Sequence, residues 1–136
     1  MTRTLAALIA LSFVAAPALA DGDAAAGEKT FSKCKSCHMV VADDGTEVVK
    51  GGKVGPNLYG VIGRAAGSTD FKYSADLAAA GEKGLIWDEA TLAEYVTDPR
   101  AFLRTYLDNS KAKSNMSFKL KDGGADVAAY LASVAS

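Results

Sequence analysis

Both cysteines and the single histidine of this 136-residue chain lie within five consecutive positions, inside the stretch FSKCKSCHMVV. Cys34, Cys37 and His38 follow the spacing C-x-x-C-H. On one helical turn, positions i, i+3 and i+4 share a face, so this spacing gathers two thiols and an imidazole on one side. A chain that spends all its soft ligands there has none left for elsewhere. Structural zinc normally takes four Cys or His ligands, and this sequence holds three, so a carboxylate would have to complete the set. A disulfide between residues three apart closes too short a loop to stabilise much. A thioredoxin-like dithiol expects a βαβ context with its Cys at a helix N-terminus, whereas here the pair comes late in a helical pattern with no strand before it.

The remaining chemistry for C-x-x-C-H is covalent attachment of a c-type haem. The two thiols add across the porphyrin vinyl groups as thioethers, and the imidazole of His38 stands under the iron as proximal ligand. A sixth iron position then needs an occupant. No other histidine or cysteine exists, and Met39 is bonded directly to His38, too close for its sulfur to reach the far side of a macrocycle. That leaves Met116, in AKSNMSFKL. A core gap-filling role for Met116, and a sixth site left open or taken by water or lysine, are the competing readings.

The first twenty residues, MTRTLAALIALSFVAAPALA, read as a secretory signal peptide cleaved after Ala20. Arg3 supplies the positive start, Leu5 to Ala16 the apolar run, and Ala18-Leu19-Ala20 the small-x-small site. The run falls short of the roughly 17 residues a bilayer span needs. Residues 21–136 are then one domain, exported and soluble in the periplasm, with no room for a second.

Along that domain, Asp23 is placed to cap a first helix anchored by Phe31. From Met39 to about Lys72 glycines and Pro56 break up every β-branched pair, which predicts loop rather than strand. WDEATLAEYVTD restarts a helix capped by Asp88, with Leu92, Tyr95 and Val96 at i, i+3, i+4. Asp98-Pro99 offers a cap followed by proline at the first helical position, opening PRAFLRTYL. A second irregular stretch surrounds Met116. Asp122 is the expected cap of a last helix, where Val127, Tyr130, Leu131 and Val134 repeat at helical spacing. The expected class is all-α, three to five helices with long loops. Loops that long in so small a chain imply that something other than side chains fills the middle.

These residues resemble the class I c-type cytochromes, and within them the bacterial cytochrome c2 / cytochrome c-550 group. The likeness rests on CKSCH, GPNLYGVIGR, FKYS, WDEATLAEYVTDP, KSNMSFKL and VAAYLASV in that order, spanning nearly all of residues 21–136. The resemblance implies the class I cytochrome c fold wrapped around one covalently bound haem c. It implies that Pro56 places its carbonyl on the His38 ring N–H, and that Arg64, Tyr73 and Trp87 hold the haem propionates. Tyr95 matches a phenol near the methionine sulfur. Leu58, Phe118 and Leu120 resemble haem-packing residues, and Gly27 and Phe31 should meet Tyr130 and Leu131 where the terminal helices cross. The segments VVADDGTEVVKGGK and AAGEKG lengthen the chain relative to mitochondrial relatives.

With both axial positions filled by protein, the iron has no vacant site for substrate, so the expected function is one-electron transfer and not enzymatic catalysis. A haem c protein with an open sixth site, binding a gas or reducing peroxide, is the alternative. Charge is uneven along the chain. Residues 100–121 hold six basic groups against Asp108 alone, while residues 82–98 hold five acids against Lys83. Lys33, Lys35, Lys50, Lys53, Lys111, Lys113, Lys119 and Lys121 flank the cysteine cluster and the methionine loop. In the resembled family such lysines ring the haem edge and meet acidic faces of membrane redox complexes. The expected transient partners are cytochrome bc1 and a terminal oxidase or photosynthetic reaction centre. No nucleic acid or small-molecule substrate is expected, and the state the resemblance implies is a monomer.

Overall fold

The computed structural model describes residues 22–136. The leader expected over residues 1–20 lies outside the described residues. Helix α1 (Ala24–Thr30) starts where Asp23 accepts hydrogen bonds from the Ala25 and Ala26 N–H groups, and it tightens into a single 3₁₀ turn at Phe31–Lys33. Helix α5 (Gly124–Val134) packs across it. Gly27 makes the crossing possible: a Cβ there would overlap the Asp126 carbonyl and come within 2.9 Å of the Tyr130 Cβ. The Phe31 and Tyr130 rings then meet at 5.6 Å, tilted by 52°, and Phe31 and Leu131 are buried at 2% exposure each.

The segment after His38 departs from the loop expected there. Val40–Val41 (β1) and Glu47–Val49 (β2) pair antiparallel, with a register irregularity between Val40 and Val41. A turn makes so short a pair hold. Gly45 takes a positive φ of 87°, and the Asp44 carboxylate accepts the Thr46 N–H at 2.9 Å. Asn57 adds a clamp from outside, accepting from Val41 N–H at 3.0 Å and donating to its carbonyl at 2.7 Å. Side-chain and turn bonding of this kind leaves no mark on hydrophobic periodicity.

Helix α2 (Ala75–Glu82) is not among the helices expected from the sequence. Ser74 caps it, and Gly81 inside it is explained by packing, since a Cβ there would strike the Ala66 carbonyl. Beyond Gly84, at φ 108°, the chain returns alongside residues 63–66. Ala66 N–H donates to Leu85 O, Trp87 N–H to Arg64 O and Gly63 N–H to Trp87 O, at 2.9, 2.9 and 2.6 Å. These bonds fix Arg64 and Trp87 side by side.

Helix α3 (Glu89–Thr97) opens on a capping box between Asp88 and Thr91, and α4 (Pro99–Tyr106) follows at once, with Asp98 accepting the Ala101 N–H. Trp87, Tyr95, Phe102 and Tyr106 form a run of ring contacts with centroids 4.9–5.9 Å apart along the chain. The expected cap of α5 is corrected. Gly123, at φ 87°, occupies that position and Asp122 makes no cap bond. The helix begins at Gly124 because a residue without Cβ is needed against α3, where a Cβ would approach the Ala93 carbonyl at 2.9 Å. Among the described residues, five α-helices and one small hairpin therefore surround the interior. No described helix is long and apolar enough to cross a membrane.

Candidate functional site

Between these elements lies a cavity of about 260 Å³ with a mainly apolar wall. Cys34, Cys37, His38, Pro56, Arg64, Tyr73, Trp87, Tyr95 and Met116 all line it, as do Leu58 and Phe118. Residues from positions 34 to 116 thus converge on one hollow. Leu120 is buried in the core and does not line the cavity. Of the eight lysines named from the sequence, Lys33 alone lines it, while all eight side chains are exposed.

The cysteine segment is a single tight turn. Cys37 and His38 N–H groups both donate to the Cys34 carbonyl, at 3.1 and 2.9 Å, which sets the two thiols and the imidazole one turn apart. The thiols are free and unbonded to each other. Burial pushes the Cys34 thiol above its ordinary pKa, the neighbouring Cys37 adds to this, and Lys33 works against it. Among the described residues no three His, Cys, Asp or Glu side chains gather as a metal cluster.

His38 is fixed from behind. Its Nδ1 lies 2.8 Å from the Pro56 carbonyl oxygen. A carbonyl only accepts, so the proton sits on Nδ1 and Nε2 carries the free lone pair. Burial lowers the imidazole pKa, the Pro56 bond partly opposing it, which keeps the ring neutral and fit to ligate. Gly55 packs flat against the ring, where a Cβ would collide with it. Further round, Arg64 donates to the Tyr59 and Asn57 carbonyls at 3.2 Å each. It is half-buried, and burial works against its charge. The ion pair found among the described residues is Lys119 with Asp98, so Arg64 faces the cavity with no carboxylate beside it. Tyr73 bonds through its hydroxyl to Thr69, and its ring lies edge-on to Phe71.

On the loop after α4, Ser114 Oγ accepts the Met116 N–H at 3.2 Å and meets the Tyr95 hydroxyl at 3.3 Å. Burial raises the Tyr95 phenol pKa, with the Ser114 bond opposing. Asn57, Thr69 and Ser114 carry no sequence signal of these roles. Asn57 lies inside GPN, next to Pro56; the other two are small polar residues in loops with no distinguishing pattern.

This lining fits a haem. It offers two free thiols at C-x-x-C spacing, a neutral imidazole with Nε2 available, a thioether, a largely apolar wall, and a half-buried cation lacking an anion that propionates would supply. No protein-family model matches the chain. It is, however, 66% identical over 134 residues to cytochrome c-551 of Roseobacter denitrificans, covering 98% of this chain and 96% of that one. It is 59% identical to cytochrome c2 of Rhodobacter capsulatus over 95% of this chain and 94% of that protein. The solved structure of that cytochrome c2 superposes with a TM-score of 0.83, covering 85% of this chain and all of the other. Ferric cytochrome c-550 from Paracoccus versutus gives the same TM-score, 0.83, at 53% identity over 85% of this chain and 100% of that one.

Fold and cavity together define a small electron-carrier haem protein with one covalently attached haem c. The chain belongs to the cytochrome c2 / cytochrome c-550 family of class I c-type cytochromes.

Proposed function

We propose that Cys34 and Cys37 carry the two thioether bonds and that His38 and Met116 are the axial ligands of the iron. Such a haem supplies a one-electron Fe(III)/Fe(II) couple. The chain's residues tune and shield it. Pro56 holds the His38 tautomer and raises its basicity, while a neutral thioether favours the ferrous state and raises the potential. The apolar wall adds to this by disfavouring extra positive charge. Arg64, Tyr73 and Trp87, which line the cavity, would hold the propionates, and Tyr95 orders the Met116 loop through Ser114. The observation that carries the reading is the convergence of both thiols, the free Nε2 of His38 and the Met116 side chain on one cavity.

The protein acts as a soluble periplasmic shuttle, exported by residues 1–20, and has no bond-making reaction of its own. Its transient partners are membrane redox complexes such as cytochrome bc1 and a terminal oxidase or reaction centre. The exposed lysines around the turn and the methionine loop steer these encounters, which mainly affects association rate and orientation. Mass spectrometry of the exported protein tests attachment and leader removal together: a mass equal to residues 21–136 plus one haem is expected. A ferric near-infrared sulfur-to-iron charge-transfer band tests Met116, and its absence in the intact protein overturns that ligand assignment.

A further inference from the structure

The loop carrying Met116 is fastened at both ends by carboxylates from other parts of the chain. On the entry side, the Lys113 N–H donates to Oδ2 of Asp76 at 2.7 Å, across 37 positions of sequence. On the exit side, Lys119 Nζ meets Oδ2 of Asp98 at 2.8 Å, and the Leu120 N–H donates to the Val96 carbonyl at 2.8 Å. Residues 112–120 contain no helix or strand, so the loop's order depends on these bonds together with the Arg104 Nε–H to the Ala112 carbonyl and the Ser114 contacts with Tyr95 and Met116. Asp76 belongs to the first turn of α2, but the cap of that helix is Ser74, which accepts the Leu77 N–H. The Asp76 carboxylate is therefore free to serve another segment.

We propose that Asp76 is a positioning residue for the Met116 thioether, with Lys119–Asp98 a second and weaker fastening. This rests on Met116 being the iron's sulfur ligand. A thioether is neutral and binds weakly, so its occupancy depends on how firmly its backbone is held. A hydrogen bond from an amide to an ionised carboxylate is roughly twice as strong as a neutral one. The Lys119–Asp98 pair is by contrast largely solvent-exposed on the lysine side, at 55%, and such pairs contribute little. Helix α2 thereby acquires a role: its first turn holds the entrance of the ligand loop.

The test is made on the haem-loaded protein. Added imidazole competes with sulfur for the ferric iron, and its half-point is read from loss of the near-infrared band. Hydrogen exchange over residues 111–119 is followed in parallel. Asp76→Ala should lower the imidazole half-point by about tenfold and speed exchange of that segment comparably, given the strength of hydrogen bonds to charged groups. Asp76→Asn keeps a neutral acceptor for the Lys113 N–H and should restore only part of the wild-type half-point. Asp126→Ala is the control: it removes the contact with Asp23 N–H at 2.8 Å and should leave the half-point unchanged even as it lowers overall stability. If Asp76→Ala does not accumulate, Asp76→Glu displaces the carboxylate by one methylene and should still lower the half-point by about threefold. A half-point unmoved in Asp76→Ala or Asp76→Glu overturns the positioning role while the Met116 assignment stands. So does a shift matched by Asp126→Ala. An intact protein with no near-infrared band overturns the ligand assignment and this proposal with it.

Discussion

His38 donates from Nδ1 to the Pro56 carbonyl at 2.8 Å while Gly55 lies flat against the same ring. The two contacts act together, one fixing the tautomer and the other the ring plane. Gly55→Ala should therefore rotate the imidazole and break the Nδ1 bond. Crowding of this kind typically costs about 1–3 kcal/mol, which a denaturant titration reads. Loss of the bond also makes the ligand less basic, so the ferric state is less stabilised and the potential should rise. A redox titration showing no change in Gly55→Ala would contradict the role given to this pair.

The crossing of α1 and α5 predicts a different phenotype. Gly27→Ala places a Cβ against the Asp126 carbonyl and the Tyr130 Cβ, both on α5. Urea denaturation should show a loss of about 1–3 kcal/mol from overpacking. The crossing lies outside the residues that hold His38 and Met116, so the near-infrared band of the folded protein should be unaltered. Phe31→Ala, at 2% exposure in the same contact, should lose more, about 3–5 kcal/mol.

These contacts show which parts of the molecule were legible from its letters. Asp23, Asp88 and Asp98-Pro99 announce their helices because capping is a local bond between neighbours in sequence. C-x-x-C-H and Met116 stand out by their chemistry, without knowledge of the fold, and the structure brings all four side chains to one cavity. Helix α2 left little signal, since ADLAAAGE has weak periodicity and its Gly81 reads as a breaker. Its justification is tertiary, a glycine facing the Ala66 carbonyl. The start of α5 misled for the same reason: Asp122 is a good cap residue, but the approach of Gly124 to α3 moved the cap to Gly123. The hairpin at Val40–Val49 depends on Asn57, sixteen positions from Val41, a relation invisible to any local window.

The lysines divide once partners are counted. Lys119 is held by Asp98, whereas Lys33 and Lys35 have no ion-pair partner among the described residues. Lys33→Glu with Lys35→Glu should slow reduction by an acidic-faced membrane partner and flatten the dependence of the rate on ionic strength. Lys119→Ala should change that dependence less. Stopped-flow rates across a salt series compare the variants, and rates in the intact protein that do not fall with salt would remove the steering role.

Acid stability should depend on Asp88. Thr91 holds its carboxyl below the ordinary carboxylate pKa, through the backbone N–H first and the hydroxyl second. A depressed folded value means the unfolded chain takes up the proton more readily. The contribution is thus complete above about pH 4, the unfolded value, and is lost as pH falls through the lower folded value. Thr91→Val removes the hydroxyl and should narrow the gap, so its acid unfolding midpoint should lie at higher pH than that of the intact protein. Asp88→Ala removes the cap itself and should cost about 1 kcal/mol at neutral pH. Thermal melts from pH 2 to 7 read both effects.

Met116→Ala separates attachment from ligation. On the proposed assignment the two thioethers belong to Cys34 and Cys37, on a turn built by its own backbone bonds to the Cys34 carbonyl. The variant should therefore keep its haem through denaturation and acid extraction. Removing the sulfur takes away the ligand that favours the ferrous state, so the near-infrared band should vanish and the potential should fall. The freed position opens onto the same cavity, and carbon monoxide should then bind the ferrous protein, which the intact protein should not allow. Spectra of the two ferrous proteins under carbon monoxide make the comparison. Rapid carbon monoxide binding by the intact protein would instead assign Met116 to the cavity wall and leave the sixth position open.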